Sequence, residues 1–302
     1  MAEISFIAVD WGTTSFRLWV TTSDGKIAGT FNGPLGMSQL KRNDFANVLE
    51  DSIAKLSIGS DVPVIICGMA GAAQGWCEAP YLQAPTRLDT LGAKAIKVPG
   101  INRDVWILPG IKQMAPANVM RGEETQIAGL LYHKTGFEGT VCLPGTHTKW
   151  VEVVGTQVKQ FETCMTGEQF ALLSKQSVLS HSMLVDGWSD AAFLNAVLAT
   201  LDDPSTVPCR LFSIRAEMLV GEQSVAQARA RLSGLLIGQE LLATRQFWDG
   251  PAVTLIGAPA LCGLYEQALG ALGIETEVLN SEAMTLKGLT SAFRTQREST
   301  HA

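Results

Sequence analysis

Short apolar runs separated by glycine- and threonine-bearing turns mark the chain, and they fall into two similar successions. Residues 5–9 (SFIAV) are apolar at successive positions and rich in β formers, which predicts a strand covered on both faces. The run stops at Asp10-Trp11-Gly12-Thr13-Thr14. Residues 16–21 resume strand composition, Asp24-Gly25 signals a hairpin turn, and residues 26–31 return. A helical pattern over residues 44–56 and a buried-type strand over 62–67 follow, so the first third reads β-β-β-α-β.

The order then recurs. Residues 140–143 form a strand that ends at Pro144-Gly145-Thr146-His147-Thr148, residues 149–154 continue it, Gly155-Thr156 turns, and residues 157–163 come back. Helices are predicted at 167–179, 191–201 and 224–247, a buried strand at 252–256, a helix at 260–272, a strand at 275–279 and a closing helix at 282–297. Laying VDWGTTSFRLWV over LPGTHTKWVEVV aligns strand, glycine-threonine turn and strand, the mark of an internal duplication. Gly234 and Gly238 share a helix face and predict close helix packing, and Thr166 with Gln169 has the spacing of a capping box.

Composition narrows the class. Of 302 residues, 46% are apolar and 17% charged, which supports substantial cores. The net charge of −6, without a dense Lys/Arg run, argues against nucleic-acid and anionic-membrane partners. Six cysteines without a C-x-x-C pair read as reduced thiols and not as a zinc site or disulfide framework. Residues 1–10 enter a strand directly and lack the basic flank and apolar core of a signal peptide, and no apolar run approaches bilayer length. A cytoplasmic globular protein is expected. The oligomeric state is open, and a dimer is compatible with the sequence.

The chemistry concentrates in the turns. Gly12 permits a tight hairpin whose N–H groups can cradle phosphate oxygens, and Thr13 and Thr14 add hydroxyls. Asp10, at the strand's end, suits a hydrated Mg²⁺, and Arg17 can reach a terminal phosphate. Gly145 and Thr146 repeat the ingredients without an acid, so that turn donates to phosphate and holds no metal. Between the two turns, Arg121-Gly122-Glu123-Glu124 opens an apolar helix. Acids in a first turn complement the helix dipole, but their position before the second turn also suits a catalytic base. Gly257 and Ala258 after a buried strand allow close approach of an adenine or ribose, and Trp76 and Tyr81 sit in a Gly/Pro-rich loop where an aromatic ring can stack on a sugar.

The succession DWGTTSFR, RGEETQ, PGTHTKW, LIGAP resembles the sugar kinases of the actin/hexokinase/Hsp70 ATPase superfamily. Five phrases, CGMAG…GW…APYL, VMRGEETQ, PGTHTKW, F-x-T-x-MTGE and LSGLLIGQE, are similar in register to the bacterial 2-dehydro-3-deoxygalactonokinases over residues 7–269. The resemblance implies an α/β, duplicated actin-like (ribonuclease H-like) fold with two lobes around a cleft, at residues 1–115 and 116–302, the closing helix returning to the N-terminal lobe. It implies ATP and Mg²⁺ as cofactors and phosphorylation of a 2-keto-3-deoxy sugar acid at O6 in galactonate catabolism. Asp10 would organise Mg²⁺; Gly12, Thr13, Thr14 and Arg17 would meet the transferred phosphate; Gly145 and Thr146 would form the second phosphate turn; Gly257 and Ala258 would lie near adenosine. The superfamily places Asp where this chain has Glu123 and Glu124, so the base stays open between them, with spacing favouring Glu124. Arg121, the amides around Gly71 and the Trp76 loop are the candidates for the sugar acid. A related sugar acid as substrate, or a non-catalytic nucleotide sensor on the same scaffold, are the competing readings. The second predicts loss of the acids, and Asp10, Glu123 and Glu124 are all present.

Overall fold

A computed structural model describes residues 3–183, 187–221, 224–250 and 252–301. In chain order its first part contains strands β1 (Ile4–Trp11), β2 (Phe16–Thr22) and β3 (Ile27–Gly33), helix α1 (Phe45–Ala54), strands β4 (Val64–Gly68) and β5 (Val105–Ile107), and helix α2 (Glu123–His133). The second contains β6 (Gly139–Leu143), β7 (Thr148–Val154), β8 (Gln157–Cys164), α3 (Thr166–Gln176), α4 (Asp190–Asp202), α5 (Val207–Val220), α6 (Val225–Ala243), β9 (Val253–Gly257), α7 (Pro259–Gly270), β10 (Thr276–Asn280) and α8 (Ser281–His301).

The chain divides into two compact units. The first holds residues 1–138, 153–160 and 281–302; the second holds 139–152 and 161–280. The sheet of the first unit runs β3-β2-β1-β4-β5 and is extended by the short strand Ile96–Lys97; the second sheet runs β8-β7-β6-β9-β10. One strand order, three-two-one-four-five, therefore occurs twice. The duplicated ribonuclease H-like, actin-like fold expected from the sequence is the fold observed.

Helix layers explain why the central strands are apolar on both faces. In the first unit α1 places Phe45, Leu49 and Ile53, one helical face, in a core with Ile7, Val9, Trp11, Val64 and Ile66. On the other side Phe293 of α8 stacks on Phe6 of β1, with ring centroids 4.3 Å apart. Helices α2 and α8 cross at glycines: a Cβ on Gly129 would stand 1.8 Å from the Met284 carbonyl, and one on Gly288 1.9 Å from that of Thr125. In the second unit Gly234 and Gly238 of α6 face Phe193, Ala196 and Thr200 of α4, the close packing their spacing predicts.

Several details differ from the sequence reading, strand β5 among them, which no pattern predicts. The sequence pattern predicts no element where α5 forms; Pro208 lies in its first turn, a position that tolerates proline. The helix expected over 224–247 stops at Ala243, and a separate turn, Arg245–Trp248, follows. Thr166 forms no capping box, because α3 starts at Thr166 itself and its hydroxyl turns inward to Glu240. Among the described residues no helix is long and apolar enough to cross a membrane.

Candidate active site

The β1–β2 hairpin sets the site of the first unit. Asp10 lies opposite Arg17 across the antiparallel ladder and beside Cys67 across the parallel one. Arg17 Nη2 donates to Asp10 Oδ2 at 2.7 Å, and the Cys67 thiol lies 3.8 Å from Oδ1. Asp10 is 9% exposed. Burial holds its carboxyl above the ordinary value, against the pull of the Arg17 charge.

Between Trp11 and Phe16 the chain closes on a hydrogen bond from the Gly12 amide to the Ser15 carbonyl at 2.9 Å. The carbonyls of Gly12 and Thr13 accept from the amides of Met37 and Ser38 at 3.0 and 2.9 Å. Gly36 lets this backing segment approach, since a Cβ there would stand 2.3 Å from the Thr14 carbonyl carbon. With its carbonyls bonded to that segment, the turn keeps the Thr13 and Thr14 amides free of backbone partners among the described residues, and both side chains are exposed.

Two glycines at positive φ bring the acids of α2 to this turn. Gly68 (φ 88°) presses against the Trp11 carbonyl, and Gly122 (φ 110°) packs on Gly68 just before α2 begins. The Arg121 amide donates to Glu123 Oε2 at 3.0 Å, and the Gly122 amide donates to both oxygens of Glu124 at 2.9 and 2.7 Å. Both carboxylates thus fold back over the helix start, where backbone N–H groups lack helical partners. Their exposure separates them. Glu123 is half-buried, and its charge acts on Asp10. Glu124 is 1% exposed; burial and the Glu123 charge push its carboxyl up to about 8, although the backbone donors oppose the shift.

Arg121 is held between two contacts in this unit. Its Nη2 donates to the Ala79 carbonyl at 2.7 Å, and its guanidinium lies 4.3 Å from the centre of the Tyr81 ring. Nε and Nη1 are buried and have no partner among the described residues. Gly71 makes the room, since a Cβ there would lie 2.7 Å from Nη1. The Trp76 ring packs on Trp11 and Phe45, with centroids 6.1 Å away in each case.

The second unit repeats the turn with different support. The Gly145 amide reaches Thr148 Oγ1 at 3.4 Å, and the Thr146 carbonyl accepts from the Glu168 amide at 3.0 Å. His147 Nε2 lies 2.6 Å from Glu168 Oε2, so it is a turn histidine with a partner. Gly167 lets α3 sit against the turn, since a Cβ there would stand 2.3 Å from the Gly145 carbonyl oxygen. Gly257 is buried, and a Cβ on it would stand 3.3 Å from the Pro144 oxygen; Ala258 caps α7.

Beside this turn a cavity of about 170 Å³ is lined by Gly145, Gly167, Phe170, Ser233, Leu261 and Tyr265, among others. Gly257 and Ala258 do not line it, but the helix they introduce does, through Leu261 and Leu264. A larger open cavity of about 570 Å³ between α4, α5 and α6 touches no turn residue and none of the acids. What the sequence reading missed is Glu240, 3% exposed behind the smaller cavity. The available signal was one acid inside the apolar run LLIGQELL.

The donor set can be tested against a metal. Among the described residues no group of three or more His, Cys, Asp and Glu side chains converges to hold an ion. Asp10 offers one carboxylate whose Oδ1 meets only the weak Cys67 thiol. That fits Mg²⁺, which keeps several waters and takes one or two carboxylates plus substrate phosphates, and it does not fit an all-protein cage.

A sequence model of the 2-keto-3-deoxy-galactonokinase family matches residues 10–292. A Rhizobium meliloti protein named as a 2-dehydro-3-deoxygalactonokinase is 39% identical over 297 residues, covering 96% of both chains. The Escherichia coli 2-dehydro-3-deoxygalactonokinase is 32% identical over 289 residues, covering 95% of this chain and 96% of its own. A crystal structure of a Sinorhizobium meliloti 2-dehydro-3-deoxygalactonokinase protein superposes with a TM-score of 0.90 at 39% identity, covering 96% of this chain and 98% of that one.

Proposed function

This chain belongs to the 2-keto-3-deoxy-galactonokinase family, and from that membership we propose that it transfers the terminal phosphoryl group of ATP to O6 of 2-dehydro-3-deoxy-D-galactonate, giving the 6-phosphate and ADP. The observation that supports the reading most is that Gly122, at the start of α2, packs on Gly68, which presses against the Trp11 carbonyl next to Asp10, so that the acids of α2 meet Asp10 at turn 12–15. Phosphoryl transfer asks mainly for positioning and for neutralisation of phosphate charge, with one group to accept the hydroxyl proton. Asp10 would hold a hydrated Mg²⁺, which when bound offsets the charge on the phosphates. In the turn that Gly12 closes, the amides and hydroxyls of Thr13 and Thr14, with the Arg17 guanidinium, address the transferred phosphoryl oxygens.

Glu123 takes the proton of the substrate hydroxyl. A base must come within hydrogen-bond reach of that proton, and burial withholds Glu124, whose oxygens both receive the Gly122 amide. Spacing alone favoured Glu124; exposure reverses the choice. Glu124 instead fixes the start of α2. Arg121 receives the sugar-acid carboxylate through Nε and Nη1, the buried donors with no partner of their own. Gly71 leaves the space for that guanidinium, and Trp76 anchors the loop from beneath. In the second unit Gly145 shapes the phosphate turn from which the Thr146 amide and hydroxyl donate, and the nucleoside takes the cavity lined by Phe170 and Tyr265, with Gly257 and Ala258 at the base of its α7 wall. A cytoplasmic setting, where ATP is maintained and thiols stay reduced, agrees with the six unpaired cysteines.

A coupled ADP-release assay over a panel of 2-keto-3-deoxy sugar acids, both C4 epimers included, tests the reading. The galacto acid is expected to give the highest kcat/KM. Equal rates with the gluco epimer would remove the substrate assignment, and no ADP release with any acid would remove the kinase.

A further inference from the structure

Glu240 occupies an apolar stretch of α6, flanked by the buried Ile237 and Leu241, and the phosphoryl-transfer chemistry makes no use of it. Its two oxygens collect donors from three other elements. Trp150 Nε1 of β7 donates to Oε1 at 2.7 Å, Tyr265 OH of α7 donates to Oε2 at 2.9 Å, and Thr166 Oγ1 at the start of α3 also donates to Oε2.

Donor chemistry fixes the direction of every bond. An indole N–H can only donate, and although burial pushes the Glu240 carboxyl up, the Thr166, Trp150 and Tyr265 donors oppose that shift by giving their protons to its oxygens. The Tyr265 proton points at Glu240, so the 3.1 Å bond between Tyr265 OH and Thr148 Oγ1 has Thr148 as its donor. Its lone pairs are left to accept the Gly145 amide, 3.4 Å away. A one-way chain therefore runs from Glu240 through Tyr265 and Thr148 to the turn, and a second arm runs through Thr166 to the end of α3 on which the turn rests.

We propose that Glu240 is a positioning residue for nucleotide binding: from behind the cavity wall it sets the orientation of turn 144–147 through Tyr265 and Thr148, and the seat of α3 through Thr166. The inference rests on the reading of Gly145 and Thr146 as a phosphate turn and deepens it. An amide would reverse the chain: with its oxygen on the Trp150 indole N–H, the NH₂ group of glutamine faces the Tyr265 and Thr166 hydroxyls, which would then accept instead of donate.

The test uses the full chain, steady-state kinetics in both substrates, and calorimetric binding of ATP without sugar acid. Tyr265→Phe and Thr148→Val each break the chain to the turn and should raise the ATP KM and Kd by about tenfold, leaving the sugar-acid KM unmoved. Trp150→Phe removes a donor from the same carboxylate but lies off the chain, so it should lower Tm and leave the ATP constants within about twofold. Glu240→Gln should weaken ATP more than either break. If Trp150→Phe weakens ATP as much as Tyr265→Phe does, Glu240 acts only as packing, and the proposal is overturned. It is overturned equally if both chain breaks leave ATP affinity unchanged. Wild-type chain that binds no ATP would overturn the phosphate-turn reading itself, and this inference with it.

Discussion

Turns 12–15 and 144–147 share a strand-turn-strand plan and differ in what surrounds them. The first is backed by segment 36–38, carries Asp10 at its base, and receives the half-buried Glu123 from α2. The second has no acid at the equivalent place; it is supported from below by Gly167, Glu168 and the Glu240 network. Duplication thus supplied two copies of one backbone device, and later residues specialised them. On the reading proposed above, one copy carries the groups that face a ligand, and the other a buried frame in which a carboxylate bonded to Trp, Thr and Tyr holds geometry.

Substitutions can break or sharpen this contrast. The largest effect is expected at Asp10: Asp10→Asn should lower kcat by at least about 10³-fold, since it removes the metal carboxylate and frees Arg17. Glu123→Gln should follow, with a loss of about 10²–10⁴-fold, roughly 3–5 kcal/mol. Steady-state rates in which Asp10→Asn is the milder variant would invert the ranking. Next, Arg121→Ala should raise the sugar-acid KM by about 10–100-fold, the value of charge-assisted hydrogen bonds of about 1.5–3 kcal/mol, with the ATP KM unchanged. An unchanged sugar-acid KM removes Arg121 from the site. In the second turn Gly167→Ala forces a methyl to within 2.3 Å of the Gly145 carbonyl oxygen. Overpacking of this kind costs about 1–3 kcal/mol, and its effect should fall on the ATP KM, about tenfold, more than on kcat.

The smallest effect on turnover is expected at Glu124, where the readout is stability. The folded protein keeps the Glu124 proton up to about 8, while the unfolded chain releases it near 4.5. Its contribution is therefore full below about 4.5 and is lost as pH rises through about 8. Glu124→Gln cannot titrate, so the Tm of the variant minus that of wild type should increase between about pH 5 and pH 8. A Tm difference that stays flat across that range would show that Glu124 ionises normally.

Much of this was readable from the chain, because the fold is written in local patterns. The runs around residues 5–9, 62–67, 140–143 and 252–256 are apolar at successive positions, and each is a central strand of one sheet or the other. The turns were readable because glycine beside threonine leaves few backbone choices. The partners were not. Trp150 and Glu240 are 90 residues apart, and Arg103 with Glu50 are 53 apart; no local pattern announces such pairs. Thr166 shows the cost of local reading: its spacing to Gln169 suggested a cap, but a distant carboxylate claimed the hydroxyl. Glu123 and Glu124 are adjacent and chemically alike, and only burial separates them. The family phrases gain physical content here. MTGE carries the glycine and glutamate that support the second turn, and RGEETQ carries the positive-φ glycine that aims the acids.

Helix α8 has a consequence for how the protein is made. It follows every residue of the second unit, yet Gly288 and Met284 set the seat of α2, the helix that bears Glu123. All residues of the second unit have been synthesised by Asn280, whereas the first also needs residues 281–302. On the ribosome, at roughly 5–20 residues per second, the nucleotide-side unit can close while the acid-bearing one is still short a helix. A chain cut after residue 280 should thus retain ATP affinity and lack turnover.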